Sequence, residues 1–144
     1  VTKIASAGFS LVEMAMVLVM IGIIAAIAVP GVQTMSQGMQ LDGAANGIAG
    51  ELRLARSKAM ATGADQMIHF SPDSLGSDYH THAGAGIGAS WKLPNGIKFT
   101  DNSFRSITML SSGRASTSAF IAVQDRRGDA DTVSVEASGL VCVY

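Results

Sequence analysis

Residues 11–29 read LVEMAMVLVMIGIIAAIAV, nineteen positions carrying one charge, Glu13. As a single helix this run is about 28 Å long, close to the ~30 Å hydrocarbon thickness of a bilayer. Three readings fit. A cleavable secretory signal is supported by Lys3 upstream and by Ala26-Ile27-Ala28, an A-x-A-like site. A plain membrane anchor needs only the length. The third reading is an anchor whose acidic residue has a purpose.

Glu13 bears on the choice, because a carboxylate inside an apolar segment costs on the order of a few kcal/mol, most at the bilayer centre. A plain signal or anchor gains nothing from that cost. Position lowers it: Glu13 falls in the first turn or two of the helix, where the positive end of the dipole favours a carboxylate. The nearby chain offers only Lys3 as a cation, and Lys3 precedes the helix. A cut between Gly8 and Phe9 would supply another. The new α-amino group would sit four residues from Glu13, about 6 Å of helix rise. It could pair with its own Glu13 or with that of a neighbouring subunit displaced along a shared axis. The second pairing neutralises both charges and fixes the register between subunits.

Gly8-Phe9-Ser10-Leu11-Val12-Glu13 and the apolar run behind it resemble the processing motif of type IV pilins and type II secretion pseudopilins. The resemblance implies that a prepilin peptidase cuts after Gly8 and methylates Phe9, and that Glu13 guides assembly. It also implies that the first helix bends or locally melts at Pro30.

Beyond Pro30, Val32, Met35 and Met39 recur at steps of three and four, and the pattern resumes at Ala45, Ile48, Leu52, Ala55 and Ala59. Such steps place them on one helix face. Gly38, Gly43, Gly47 and Gly50 each cost about 1 kcal/mol relative to alanine, so this helix must be held by packing. Gly63 is its expected cap. Five to seven short strands follow, including residues 66–70 and a turn at Ser71-Pro72-Asp73. A hairpin is expected with Trp91-Lys92-Leu93 and Ile97-Lys98-Phe99 around Pro94-Asn95-Gly96. Strands at 107–110, 120–124, 132–136 and 140–144 complete the series. The fold class is α+β, a long N-terminal transmembrane or filament helix packed at its C-terminal half on a small antiparallel sheet domain. Its parts are a leader (1–8), a membrane or filament-core helix (9–30), an amphipathic continuation (31–63) and a β-rich head (64–144).

The helix ending Leu52-Arg53-Leu54-Ala55-Arg56-Ser57-Lys58-Ala59, the tryptophan hairpin and the terminal Gly139-Leu140-Val141 strand resemble the GspH/FimT subgroup of minor pseudopilins and pilins. Arg53 and Arg56 either tie the helix to its sheet or a neighbour, or are solvated charges.

Other chemistry is sparse. Tyr79-His80-Thr81-His82 and the glycine-rich Gly84-Ala85-Gly86-Ile87-Gly88 read as one long loop, residues 74–90. His80 and His82 could seed a zinc site, but zinc needs three or four ligands, and loop histidines are the simpler account. Asp125, Asp129 and Asp131 could collect calcium, although Arg126 and Arg127 among them favour a solvated hairpin tip. No G-x-S-x-G elbow is present. Cys142, the single cysteine, sits in an apolar strand and reads as a buried inert thiol. Neither enzymatic activity nor a cofactor is expected.

A net charge of −1 argues against a nucleic-acid partner held by bulk charge. Some FimT-like pilins bind DNA through a C-terminal G-R-x-R element, which Gly139-Leu140-Val141-Cys142 lacks. The expectation is a non-enzymatic minor pseudopilin of type II secretion. Its implied partners are other pseudopilins or pilins, the prepilin peptidase and an inner-membrane assembly platform. It would span the bacterial inner membrane once, with a periplasmic head, before entering a filament. One alternative is a minor type IV pilin that primes pilus assembly. Another is a membrane-tethered binding or metal domain using His80, His82 and the 125–131 loop.

Overall fold

The computed structural model describes residues 9–71, 76–83, 86–101, 103 and 105–144. Lys3, Gly8, Pro72, Asp73 and Gly84 lie outside the described residues, as does the side chain of Pro30. Helix α1 (Leu11–Thr62) is followed by β1 (Gln66–His69), β2 (Tyr79–Ala83), β3 (Gly86–Trp91) and β4 (Lys98–Phe99). Then come β5 (Ser106–Met109), β6 (Ala119–Gln124), β7 (Ala130–Val135) and β8 (Val141–Val143). The chain divides into two compact units, the first ending at Ser36 and the second covering Gln37–Tyr144.

In the second unit the helix packs on two four-stranded sheets, ordered β3-β2-β1-β5 and β4-β6-β7-β8. The strand pairs are antiparallel throughout. The expected helix face is buried through Ala45, Ile48, Leu52, Ala55 and Ala59, joined by Leu41 and Ala49. It meets Ile68, Phe70, Ile107 and Met109 on one side, and Ile121, Val123, Val133, Val135 and Val141 on the other. Period-two alternation explains the strand contributions: Ala119, Ile121 and Val123 are buried while Phe120 between them is exposed. Burial of this stripe offsets the helical glycines, whose Cα atoms face open space at 38, 43, 47 and 50. Gly63, at φ 67°, stops the helix as expected.

Several expectations are corrected. Eight strands form among the described residues, not five to seven. The supposed 74–90 loop holds two of them, β2 and β3, because Tyr79, His80, Thr81 and His82 alternate on a pleated strand. The turn at Pro94 exists, with the Ile97 N–H donating to the Pro94 carbonyl at 3.0 Å. It does not close a hairpin: β3 pairs with β2, whereas β4 pairs with β6 in the other sheet. Gly96, at φ 94°, gives the turn its positive-φ residue, so pairing elsewhere in the chain and not turn conformation separates β3 from β4. The apolar stripe also has a limit, for Val32, Met35 and Met39 are exposed. Cys142 is half-exposed rather than buried, because Val141 and Val143 take the inward positions of β8.

An aromatic cluster joins the two sheets. Tyr79 stacks on its cross-strand neighbour Trp91 with centroids 5.2 Å apart, and Phe99 of the second sheet packs edge-on to Tyr79 and Phe70. Burial, with the nearby Glu51 and Asp78 charges, raises the Tyr79 hydroxyl to about 12.

Candidate assembly and binding sites

The first unit presents an apolar cylinder. From Leu11 to Val29 its large hydrophobic side chains are between 46% and 86% exposed, and none is buried among the described residues. A shallow groove lined by Val12, Ala15, Met16, Val19, Met20 and Ile23 runs along it. The segment is long and apolar enough to cross a membrane.

The helix opens at Ser10, whose carbonyl accepts the Met14 N–H at 3.1 Å. Ser10 is therefore the N-cap, and Glu13, exposed in the first turn, is the third helical residue. Ser-x-x-Glu is the spacing of a capping box, in which the acid can serve the orphan N–H groups of its own helix. The Ser10-x-x-Glu13 spacing is the local sequence signal for this cap. Phe9, the expected mature terminus, is exposed beside it.

In the head, Arg53 ties the helix to the sheet while staying exposed: its Nη2 donates to the Val141 carbonyl on β8 at 2.9 Å. Arg56 lies over two turns, one at Gly113 and one at Gly139. Both glycines have positive φ, 80° and 83°, and a methyl group on Gly139 would collide with the Gly113 carbonyl oxygen. The helix ending and the terminal Gly139-Leu140-Val141 thus form one packing unit.

The carboxylates of the 125–131 loop do not converge. Asp125 is buried in the turn, where its Oδ1 accepts the backbone N–H groups of Arg127 at 2.8 Å and Asp129 at 3.0 Å. Arg127 donates to Asp125 and pairs with Asp129, both at 2.9 Å. Burial alone would push the Asp125 carboxyl up; the Arg127 hydrogen bonds, the Asp129 N–H and the Arg127 charge outweigh it and hold it below the usual range. Asp131 is directed elsewhere. Its carboxyl is raised by burial and by the neighbouring Asp42 of the helix, a like charge that shares a hydrogen bond with it.

The histidines do converge. Met67 lies opposite His82 and His69 opposite His80 in the β1–β2 register, so the four side chains share one sheet face while Ile68 enters the core from the other. His69 and His80 stack at 5.5 Å, and His82 leans on both, at 4.6 Å and 5.2 Å. One ring nitrogen from each lies within 4.8 Å of the others. His80 is only 7% exposed, and the Met67 thioether lies 3.0 Å from His69 Nε2. Burial lowers the His69 pKa, and the charges of His82 and His80 lower it further. His69 was the member that sequence spacing did not connect.

Neither a family model nor a curated protein sequence matches the chain. Solved structures do. The minor pseudopilin EpsH from the Type 2 Secretion System of Vibrio cholerae is 15% identical, covers 73% of this chain and 96% of its own, and superposes with a TM-score of 0.56. The type IV minor pilin FimU of Pseudomonas aeruginosa is similar in two crystal forms. One is 17% identical over 76% of this chain and 92% of its own, TM-score 0.60; the other is 20% identical over 72% and 92%, TM-score 0.53. The chain has a pilin-like fold.

Proposed function

We propose that this protein is a non-enzymatic filament subunit, a minor pseudopilin of the type II secretion class. The observation that carries the reading is a Gly8-Phe9 junction and Glu13 at the head of an apolar helix left uncovered on all sides. Such a surface needs lipid or sister helices around it. The unprocessed chain resides in the inner membrane with its head in the periplasm. A prepilin peptidase then cuts after Gly8 and methylates Phe9, and the apolar cylinder moves from lipid into a bundle of like helices. Little hydrophobic energy is gained in that transfer, because lipid tails are as apolar as leucine, so extraction requires an assembly machine. Bending at Pro30 belongs to the same proposal. The EpsH likeness supports the secretion reading, and the helix ending and terminal strand of the sequence support a place in the GspH/FimT subgroup.

A second reading, a minor pilin that primes type IV pili, is supported by the likeness to FimU. The two separate on phenotype in the source organism: deletion of the gene abolishes protein export in the first case and surface pili in the second.

Coexpression with a prepilin peptidase should convert the chain to a form beginning at methylated Phe9, read by intact-mass and N-terminal peptide mass spectrometry. A chain that keeps Gly8, or one trimmed beyond Ala28 as a secretory signal would be, contradicts the proposal.

A further inference from the structure

The chain has three histidines, and all three meet on one face of paired strands in the head. We propose that His69, His80 and His82 form a binding site for one late transition-metal ion, Zn²⁺ or Cu²⁺. The site belongs to the second unit, and it does not depend on the filament reading, which rests on the first.

Ligand number comes first. Three imidazoles are the protein complement of an open zinc site, in which water or another donor completes the tetrahedron. Ligand type comes next. Neutral imidazole suits zinc and copper, whereas calcium and magnesium take oxygen donors, so the cluster selects against the ions that the carboxylate loop would have attracted. Copper(II) should bind more tightly than zinc on the same nitrogens.

Geometry then decides whether the donors can close on one ion. Metal–nitrogen bonds of about 2.0–2.1 Å at tetrahedral angles place ligand nitrogens roughly 3.4 Å apart. The present limit of 4.8 Å requires the rings to draw inward by about 1.4 Å at most, within reach of small side-chain rotations. The backbone beneath is fixed. His69 and His80 are direct cross-strand partners, Ile68 is fully buried behind them, and β1 is held on its other edge by β5. Strand-borne ligands of this kind are more precisely placed than ligands on a loop.

The test uses the full chain in detergent, purified with an affinity tag that contains no histidine and stripped of metal. After loading with Zn²⁺ or Cu²⁺ alone and dialysis against metal-free buffer, one ion per chain should remain by elemental mass spectrometry. Metal should raise the melting temperature of the parent chain. His69→Gln and His82→Gln should each weaken retention by roughly 100-fold, since one of three ligands is lost. The Cu²⁺ electron paramagnetic resonance spectrum of the unaltered chain should carry imidazole-nitrogen coupling, a readout independent of how the variants fold. Sub-stoichiometric retention of both ions, equal retention by a chain carrying both His69→Gln and His82→Gln, or a copper spectrum without nitrogen coupling would each overturn the proposal.

Discussion

Gly139→Ala should lower the stability of the head by about 3 kcal/mol or more, a fall in melting temperature of roughly 10–20 °C for a unit of this size. Two costs combine. At φ 83° an L-residue other than glycine is strained by about 1–2 kcal/mol. The added methyl group also runs into the Gly113 carbonyl oxygen, a backbone atom that cannot rotate aside, and lies 3.0 Å from Arg56 Nε. The turn itself is fixed, with the Gly139 N–H donating to the Glu136 carbonyl at 2.8 Å and the Glu136 N–H to Leu140 at 2.9 Å. Relief therefore requires moving β8 or the Gly113 turn, and moving β8 strains the Arg53–Val141 bond that ties the sheet to the helix. Gly128→Ala is the matched comparison. Its φ is 96°, but its new methyl group would meet only the end of the Gln124 side chain, at 3.6 Å. Thermal melts followed by circular dichroism should show Gly128→Ala losing about 1–2 kcal/mol and Gly139→Ala clearly more. Equal losses would mean that the collision is absorbed and that the Gly113–Gly139 contact is not structural.

The same residues show what can be read from a sequence of this kind. The spacing of Ala45, Ile48, Leu52, Ala55 and Ala59 revealed the buried helix face because helical periodicity is local. Val32, Met35 and Met39 continue that spacing yet are exposed, since periodicity reports an apolar face but not what covers it. Gly63 and a turn within the expected 125–131 loop were legible for the same local reason, although Asp131 belongs to β7 and Asp125 is buried where a solvated tip was expected. Sheet membership was not. The Pro94 turn was found, but whether it closes a hairpin depends on partners for β3 and β4 elsewhere in the chain. Glycine-rich composition concealed the described strands β2 and β3. The histidine cluster is the strongest case: the spacing of His80 and His82 was visible, but His69 joins them only through antiparallel register. Gly113 and Gly139 likewise meet only in three dimensions.

Glu13→Ala and Glu13→Gln should both leave chains that insert, fold and are cut after Gly8, yet fail to enter filaments. The pair of substitutions is informative because a local capping role for Glu13 competes with the proposed assembly role. As the third residue after the Ser10 N-cap, it can serve the first turn of its own helix. Glutamine fills a capping box as well as glutamate does, so a purely local role predicts that Glu13→Gln behaves like the parent and only Glu13→Ala is impaired. Neutralisation also makes the segment cheaper to place in lipid, so neither variant should suffer at insertion. Under the proposed processing, what both would lose is the anion opposite the α-amino group of Phe9. In a packed helical core an ammonium stripped of its partner costs about 3–5 kcal/mol, roughly a hundredfold to several-thousandfold in the incorporation equilibrium. Filaments sheared from cells and probed for the subunit provide the measurement, with the membrane fraction as the control for expression and processing. Incorporation of Glu13→Gln at the parental level would reduce Glu13 to a helix cap and leave the register between subunits to apolar packing alone.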